Sequence, residues 1–278
     1  MNTTLAPVVA EINNFLFFSE NYVGTLSPIA CGALMFVLFV GYVILHCCLH
    51  LLLETCSDKY REIKPDAKEN KTAILLTMMS LAVVAFISPC YFYASYELLF
   101  VLETRWETVT YLGQLGLALH CGCTFYEILC YVFMRRGIEF YLHHVFVLSC
   151  YIPVILSGHM GFFAYFDGTV EVTNIFLCSL PILRLYDMKN SMAYIVCGAS
   201  LWVSFLIVRL IGMSYWIYLF ITDYWYHEEI FFRNLCIAKW IALPVTIFLL
   251  VLSTMWFKPI TKGLLKALYS KKDINKNK

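Results

Sequence analysis

Long apolar runs alternate with short polar ones along most of the chain. Seven runs stand out, at roughly 26–53, 73–99, 109–134, 140–160, 163–186, 191–222 and 235–257. A helix that crosses a bilayer needs about 20 mainly apolar residues, so each run predicts one spanning helix. The fourth and fifth runs nearly merge, and the stretch Gly158 to Gly168, with His159, Asp167 and three glycines, offers the turn between them. A transmembrane barrel is excluded, because its strands would read as alternating segments of about ten residues. The expected fold is all-α, a polytopic membrane bundle of about seven transmembrane helices.

Composition strengthens this reading. Hydrophobic types make up 61% of the 278 residues, and Asp, Glu, Lys and Arg only 14%. Soluble domains carry about 25% charged residues, and a soluble fold could not wet so apolar an outside. The formal net charge of +1 argues against a nucleic-acid partner, which calls for a basic surface that replaces phosphate counterions. Eleven of the twelve cysteines lie in apolar stretches and Cys56 in a charged loop. They read as small buried hydrophobes rather than a disulfide framework. Residues 1–25 contain no Lys or Arg, so the basic start of a cleavable signal peptide is missing.

The placement of Lys and Arg predicts an orientation. The loop 54–72 carries five, Arg135 and Arg136 follow the third run, Lys189 follows the fifth, and the tail from Lys258 carries seven. Those connections hold 15 of the 20 cations, against three (Arg105, Arg233 and Lys239) on the other side. The N-terminus is therefore expected outside or in a lumen and the C-terminus in the cytosol. Tyr215, Trp216, Tyr218, Tyr224, Trp225 and Tyr226 fit an aromatic belt at the lumenal interface. The expected layout is a lumenal leader (1–25), a first spanning helix (26–53), a charged cytosolic loop (54–72), a six-helix membrane domain (73–257) and a basic tail (258–278). Ile260, Leu264, Leu265 and Leu268 recur at helical spacing in that tail, as in a helix lying on a membrane surface.

Ionisable groups inside a bilayer are costly and mark function or a structural pair. Counting residues from the helix ends, Glu127 falls about 10 Å from the cytosolic side, and His143 and His144 enter the fourth span near the same level. A carboxylate beside an imidazole fixes its tautomer and raises its basicity. A deeper layer holds His120, Glu171, Asn174 and Arg209, about 20–27 Å in. Arg209 requires an acceptor there, and Glu171 is the best placed. His46, His50 and Glu54 share one face of the first span, a spacing that suits either a metal or a polar stripe, with the stripe favoured. His227, beside Glu228 and Glu229, reads as solvated.

Elimination narrows the enzymes. Di-iron desaturases and fatty-acid elongases use HxxHH, but no histidine precedes His143-His144 by three positions, and the chain has seven histidines in all. No GxSxG elbow marks a serine hydrolase.

The series Tyr126-Glu127, Tyr141-Leu-His143-His144, Gly158, Gly161, Glu171-Val-Thr-Asn174, Arg184, Phe205 and Arg209 resembles the TLC domain. That membrane domain is shared by ceramide synthases, translocon-associated proteins and small lipid-homeostasis proteins. The resemblance covers residues 72 to about 260 and implies that spans two to seven form a barrel around a lipid cavity. In ceramide synthases the double His opens a longer motif with a Ser-Tyr pair and later an HDxxD-like segment. Here Ser149-Cys-Tyr151 and Glu171-Val-Thr-Asn174 stand in those places. The likeness is therefore to the small lipid-homeostasis branch. It implies His143, His144 and Glu127 as catalytic candidates and Glu171, Asn174, Arg209 and His120 as substrate-binding ones. It also implies membrane lipids or fatty acyl chains as partners, the endoplasmic reticulum as location, acyl-CoA as a substrate rather than a cofactor, and no metal.

Two rivals share the topology. A seven-helix receptor would carry NPxxY in its last span, where this chain reads Leu243-Pro244-Val245-Thr246. A transporter would show paired halves with broken helices, and no such repeat is visible.

Overall fold

The computed structural model describes residues 25–64, 70–233 and 236–276, and the regular structure among them is helical throughout. Among the described residues, seven helices are long and apolar enough to cross a bilayer: Pro28–Cys56, Lys71–Leu99, Leu102–Met134, Ile138–Ser157, Gly161–Leu185, Met192–Tyr226 and Ala238–Lys266. These are the first to seventh spans. The expected leader and its Asn2 lie outside the described residues.

Four long helices begin at a side-chain N-cap; within the third span this is the helix Tyr111–Met134, which follows a short helix Leu102–Glu107. Ser27, Asn70, Thr110 and Ser191 each accept a hydrogen bond from the backbone N–H three residues on, which satisfies a donor that the first turn leaves open. The turn between spans four and five is shorter than the glycine-rich stretch suggests. Gly158 (φ 70°) and Met160 (φ 63°) reverse the chain, and helix resumes at Gly161. The later glycine serves close packing instead. A Cβ at Gly168 would lie 2.6 Å from the Tyr91 ring.

Neighbouring spans follow the order two, five, six, seven, four, three and back to two, a closed six-helix ring. The first span lies outside it, chiefly against the third. Outward-facing Phe36, Val37, Ile207 and Met255 are more than half exposed, as suits side chains that meet lipid. Aromatic rings fill the end of the ring away from the basic loops. Trp106 meets Phe163 at 4.6 Å between centroids, and Trp216 stacks on Phe220 at 5.1 Å.

Three expectations change. Trp216 is 1% exposed and donates its indole N–H to the Phe163 carbonyl at 2.8 Å, so it belongs to the core and not to an interfacial belt. Cys47, Cys48 and Cys56 are exposed, because the first span buries little of its surface. The seventh helix runs unbroken through Pro259 to Lys276.

Candidate functional site

Every helix of the ring sends polar or aromatic side chains into one interior. Near the basic end, Ser80 of the second span donates to Glu127 Oε1 at 2.5 Å. Glu127 Oε2 stands 3.6 Å from His144 Nε2, and that nitrogen is 3.1 Å from the Tyr131 hydroxyl. Of the three groups that the sequence placed on one level, Glu127 and His144 meet, with Tyr131 as an added partner.

The two histidines differ. Adjacent helical positions point about 100° apart, so His144 turns to Glu127 and Tyr131 while His143 turns towards Trp256 of the seventh span, 5.7 Å away between centroids. His143 Nδ1 is buried and has no hydrogen-bond partner among the described residues.

Further in, Glu171 is 7% exposed and Arg209 4%. Arg209 Nη2 is 3.8 Å from Glu171 Oε1, and Arg209 Nε donates to Thr173 Oγ1 at 2.8 Å. Asn174 donates to Glu171 Oε2 at 2.7 Å. The expected pair is present, and Thr173 takes a share of the guanidinium. His120 has its Nδ1 3.2 Å from the Tyr91 hydroxyl and meets the Tyr151 ring edge-on at 5.3 Å.

The two layers are less separate than helix rise implies. Glu171 acts electrostatically on Glu127 and His144, and Arg209 and His120 act on His143. Rise along each helix leaves the stagger between helices open, and the ring staggers these spans so that the levels approach.

The first-span histidines are occupied structurally. His46 Nδ1 lies 2.6 Å from the Tyr126 hydroxyl and His50 Nδ1 2.8 Å from that of Tyr60. Burial, with the Glu54 carboxylate nearby, pushes the Tyr60 phenol up to about 12, so it remains a neutral partner near physiological pH. No cluster of His, Cys, Asp and Glu suited to a metal occurs among the described residues. His227 is half-buried, 3.9 Å from Glu229.

Sequence reasoning passed over two acids. Asp223 accepts from Arg105 Nε at 3.0 Å, from Nη2 at 2.7 Å and from the Trp106 indole at 3.0 Å, a clamp at the aromatic end. Asp167 read as a turn residue, yet it lies inside the ring. In both cases the available signal was an acid within or beside an apolar run.

The TLC domain matches residues 30–262. The chain belongs to the TLC-domain family. The match takes in most of the first span as well as the ring, so it reaches every span of this TLC-domain protein among the described residues. No curated protein and no solved structure matches the chain. Seven apolar helices and family membership make it a multi-pass membrane protein. Chemically, a neutral imidazole can remove a proton or accept an acyl group, and the Glu171–Arg209–Asn174 cluster can orient a polar group beside it.

Proposed function

We propose that this TLC-domain protein binds a long acyl chain of a membrane lipid within its helical ring and that His143 is the reactive group at the head of that site. One observation carries the reading: of two adjacent imidazoles, His144 is held by Tyr131 and Glu127, whereas His143 Nδ1 is buried beside them without a partner. A buried polar atom left unpaired is costly, and a ligand that supplies its partner recovers that cost.

Acyl transfer is the chemistry this group can perform. His143 removes the proton from an attacking amine or hydroxyl, the new bond forms at the thioester carbonyl of an acyl-CoA, and the CoA thiolate leaves. Glu171 and Asn174 replace the acid pair of ceramide synthases, which favours regulation of membrane lipid composition over N-acylation of a sphingoid base. The excess of Lys and Arg in the first, third and fifth loops and the tail supports an N-lumenal, C-cytosolic orientation in the endoplasmic reticulum or a connected membrane.

The test is mass spectrometry of lipids that copurify with the protein, together with lipid profiles of deficient cells complemented by His143→Ala or His144→Ala. His143→Ala should be as abundant as the wild type and fail to restore the profile. His144→Ala should lower abundance through its lost contacts, by roughly 1–2 kcal/mol. Two abundant variants that both restore the profile would sink the assignment.

A further inference from the structure

Nine of the twelve cysteines are buried or half-buried, and three are exposed: Cys47, Cys48 and Cys56, all on the first span. That span lies outside the ring and leaves most of its surface bare. An exposed thiol gains little from packing, so its reactivity is what distinguishes it from another small apolar residue. We propose that Cys47 and Cys48 are a site of reversible S-acylation, which takes the acyl group of a long-chain acyl-CoA. The site rests on the N-lumenal, C-cytosolic orientation proposed above.

Depth selects this pair. The 29-residue helix Pro28–Cys56 is about 44 Å long, against about 30 Å of hydrocarbon, so it overshoots the apolar layer by about nine residues. Ser27 caps its lumenal end, and Ile29 is already exposed apolar surface. About 20 residues cross the layer, and counted from there they end at Cys47 and Cys48. The third span gives the same level independently. A Cβ at Gly122 would lie 3.0 Å from that of Leu38, and Tyr42 meets Tyr126 at 6.0 Å between centroids, an offset of 84 positions in both pairs. Cys47 and Cys48 therefore stand level with Tyr131 and Val132, about one turn short of Arg135 and Arg136. They sit where hydrocarbon gives way to the cytosolic headgroups. Cys56 lies about 12 Å farther out, beside Ser57 and Asp58.

A chain fixed at Cys48 has a track to follow. Ile44, Val40 and Val37 share its helix face and all are exposed, which gives about 16 Å of bare apolar surface leading into the bilayer. The reaction is a thioester exchange. The cysteine sulfur attacks the carbonyl of the acyl-CoA, a new C–S bond forms as the C–S bond to CoA breaks, and the thiol proton passes to the departing CoA sulfur. One thioester replaces another, so the step consumes no oxidant. Acyl-CoA is a polyanion, and the loop 54–72 that follows the pair carries five Lys and Arg, which raise its concentration at that surface. The reducing cytosol keeps both thiols free.

The experiment expresses the full-length protein in eukaryotic cells, blocks its free thiols, cleaves thioesters with hydroxylamine and attaches a maleimide-linked mass tag to each thiol released. The wild type should shift on a gel only after hydroxylamine. Cys47→Ser with Cys48→Ser should abolish the shift, and Cys56→Ser should keep it. Cys47→Ala with Cys48→Ala gives the same readout if the serine pair is poorly expressed. No hydroxylamine-dependent shift in the wild type, a shift retained by both double variants, or one lost in Cys56→Ser alone overturns the site. A membrane-impermeant maleimide applied to sealed microsomes of the double variant separates the two readings. Cys56 labelled from the outside together with an unacylated wild type overturns the acylation and leaves the orientation standing. Cys56 labelled only after permeabilisation overturns the orientation, and the site with it.

Discussion

Replacing Arg209 by Leu removes the one cation beside Glu171 and the donor to Thr173. Glu171, 7% exposed, then keeps its Asn174 bond but loses its counter-charge. Breaking a buried pair from one side costs about 3–5 kcal/mol. That is a large share of the 5–15 kcal/mol that holds a typical domain folded, so Arg209→Leu should be scarce in membranes. The double variant Arg209→Leu with Glu171→Leu removes both charges. Beyond the single variant it loses only the Asn174 bond to Glu171, about 1 kcal/mol, which leaves a recovery of roughly 2–4 kcal/mol over the single variant. The Arg209–Glu171 separation of 3.8 Å argues for the lower half of that range, since a closer bidentate pair would couple more strongly. A quantitative blot of the single and double variants, with thermal unfolding of each in nanodiscs, reads the difference. A double variant as scarce as the single one would show that the two residues do not stabilise each other.

Gly168→Ala should destabilise the bundle by about 1–3 kcal/mol through overpacking against Tyr91, while Gly198→Ala, where a Cβ meets nothing within 4 Å, should be neutral or slightly stabilising; thermal unfolding of the two variants compares them. Asp223→Asn leaves Arg105 without its carboxylate and should lower the melting temperature, at a cost of about 2–5 kcal/mol, with a change in tryptophan fluorescence because Trp106 loses a partner; unchanged fluorescence would contradict the clamp. Asn70 heads a glycosylation sequon and caps the second span; the proposed orientation puts it in the cytosol, where it should never carry glycan, and an endoglycosidase-sensitive band that vanishes in Asn70→Gln would reverse that orientation.

The spans were legible because apolar runs of helix length have few other uses. The ionisable residues were legible too, since hydrocarbon makes each one conspicuous. Their partners were not. Tyr131, Tyr91 and Ser80 complete the contacts of His144, His120 and Glu127, yet a tyrosine or serine in an apolar run is ordinary and carries no signal among 19 tyrosines. The order of helices around the ring was equally hidden. The second span packs on the fifth and the fourth on the seventh, contacts between elements far apart in the chain that depend on side-chain fit rather than periodicity. The turn after the fourth span was overdrawn for a related reason. Glycine marks both turns and close approach, and at Gly168 the second use applies.

The backbone itself carries a feature that no hydropathy pattern would reveal. The fifth span changes to a 3₁₀ turn at Thr169–Glu171, and the sixth widens into a π-helix at Phe205–Gly212. The two irregular segments hold Glu171 and Arg209. Thr173, which accepts from Arg209, donates its own hydroxyl to the Val170 carbonyl inside the 3₁₀ turn at 2.8 Å. In hydrocarbon, departures from the α-helix are tolerated where neighbouring protein re-satisfies the freed groups, and π segments gather at functional sites. Phe-Leu-Ile-Val-Arg-Leu-Ile-Gly reads as ordinary helix but for its arginine. The irregular stretch therefore follows from the need to seat one guanidinium inside the ring, and the departures from α-helix within these two spans coincide with the buried pair Glu171 and Arg209.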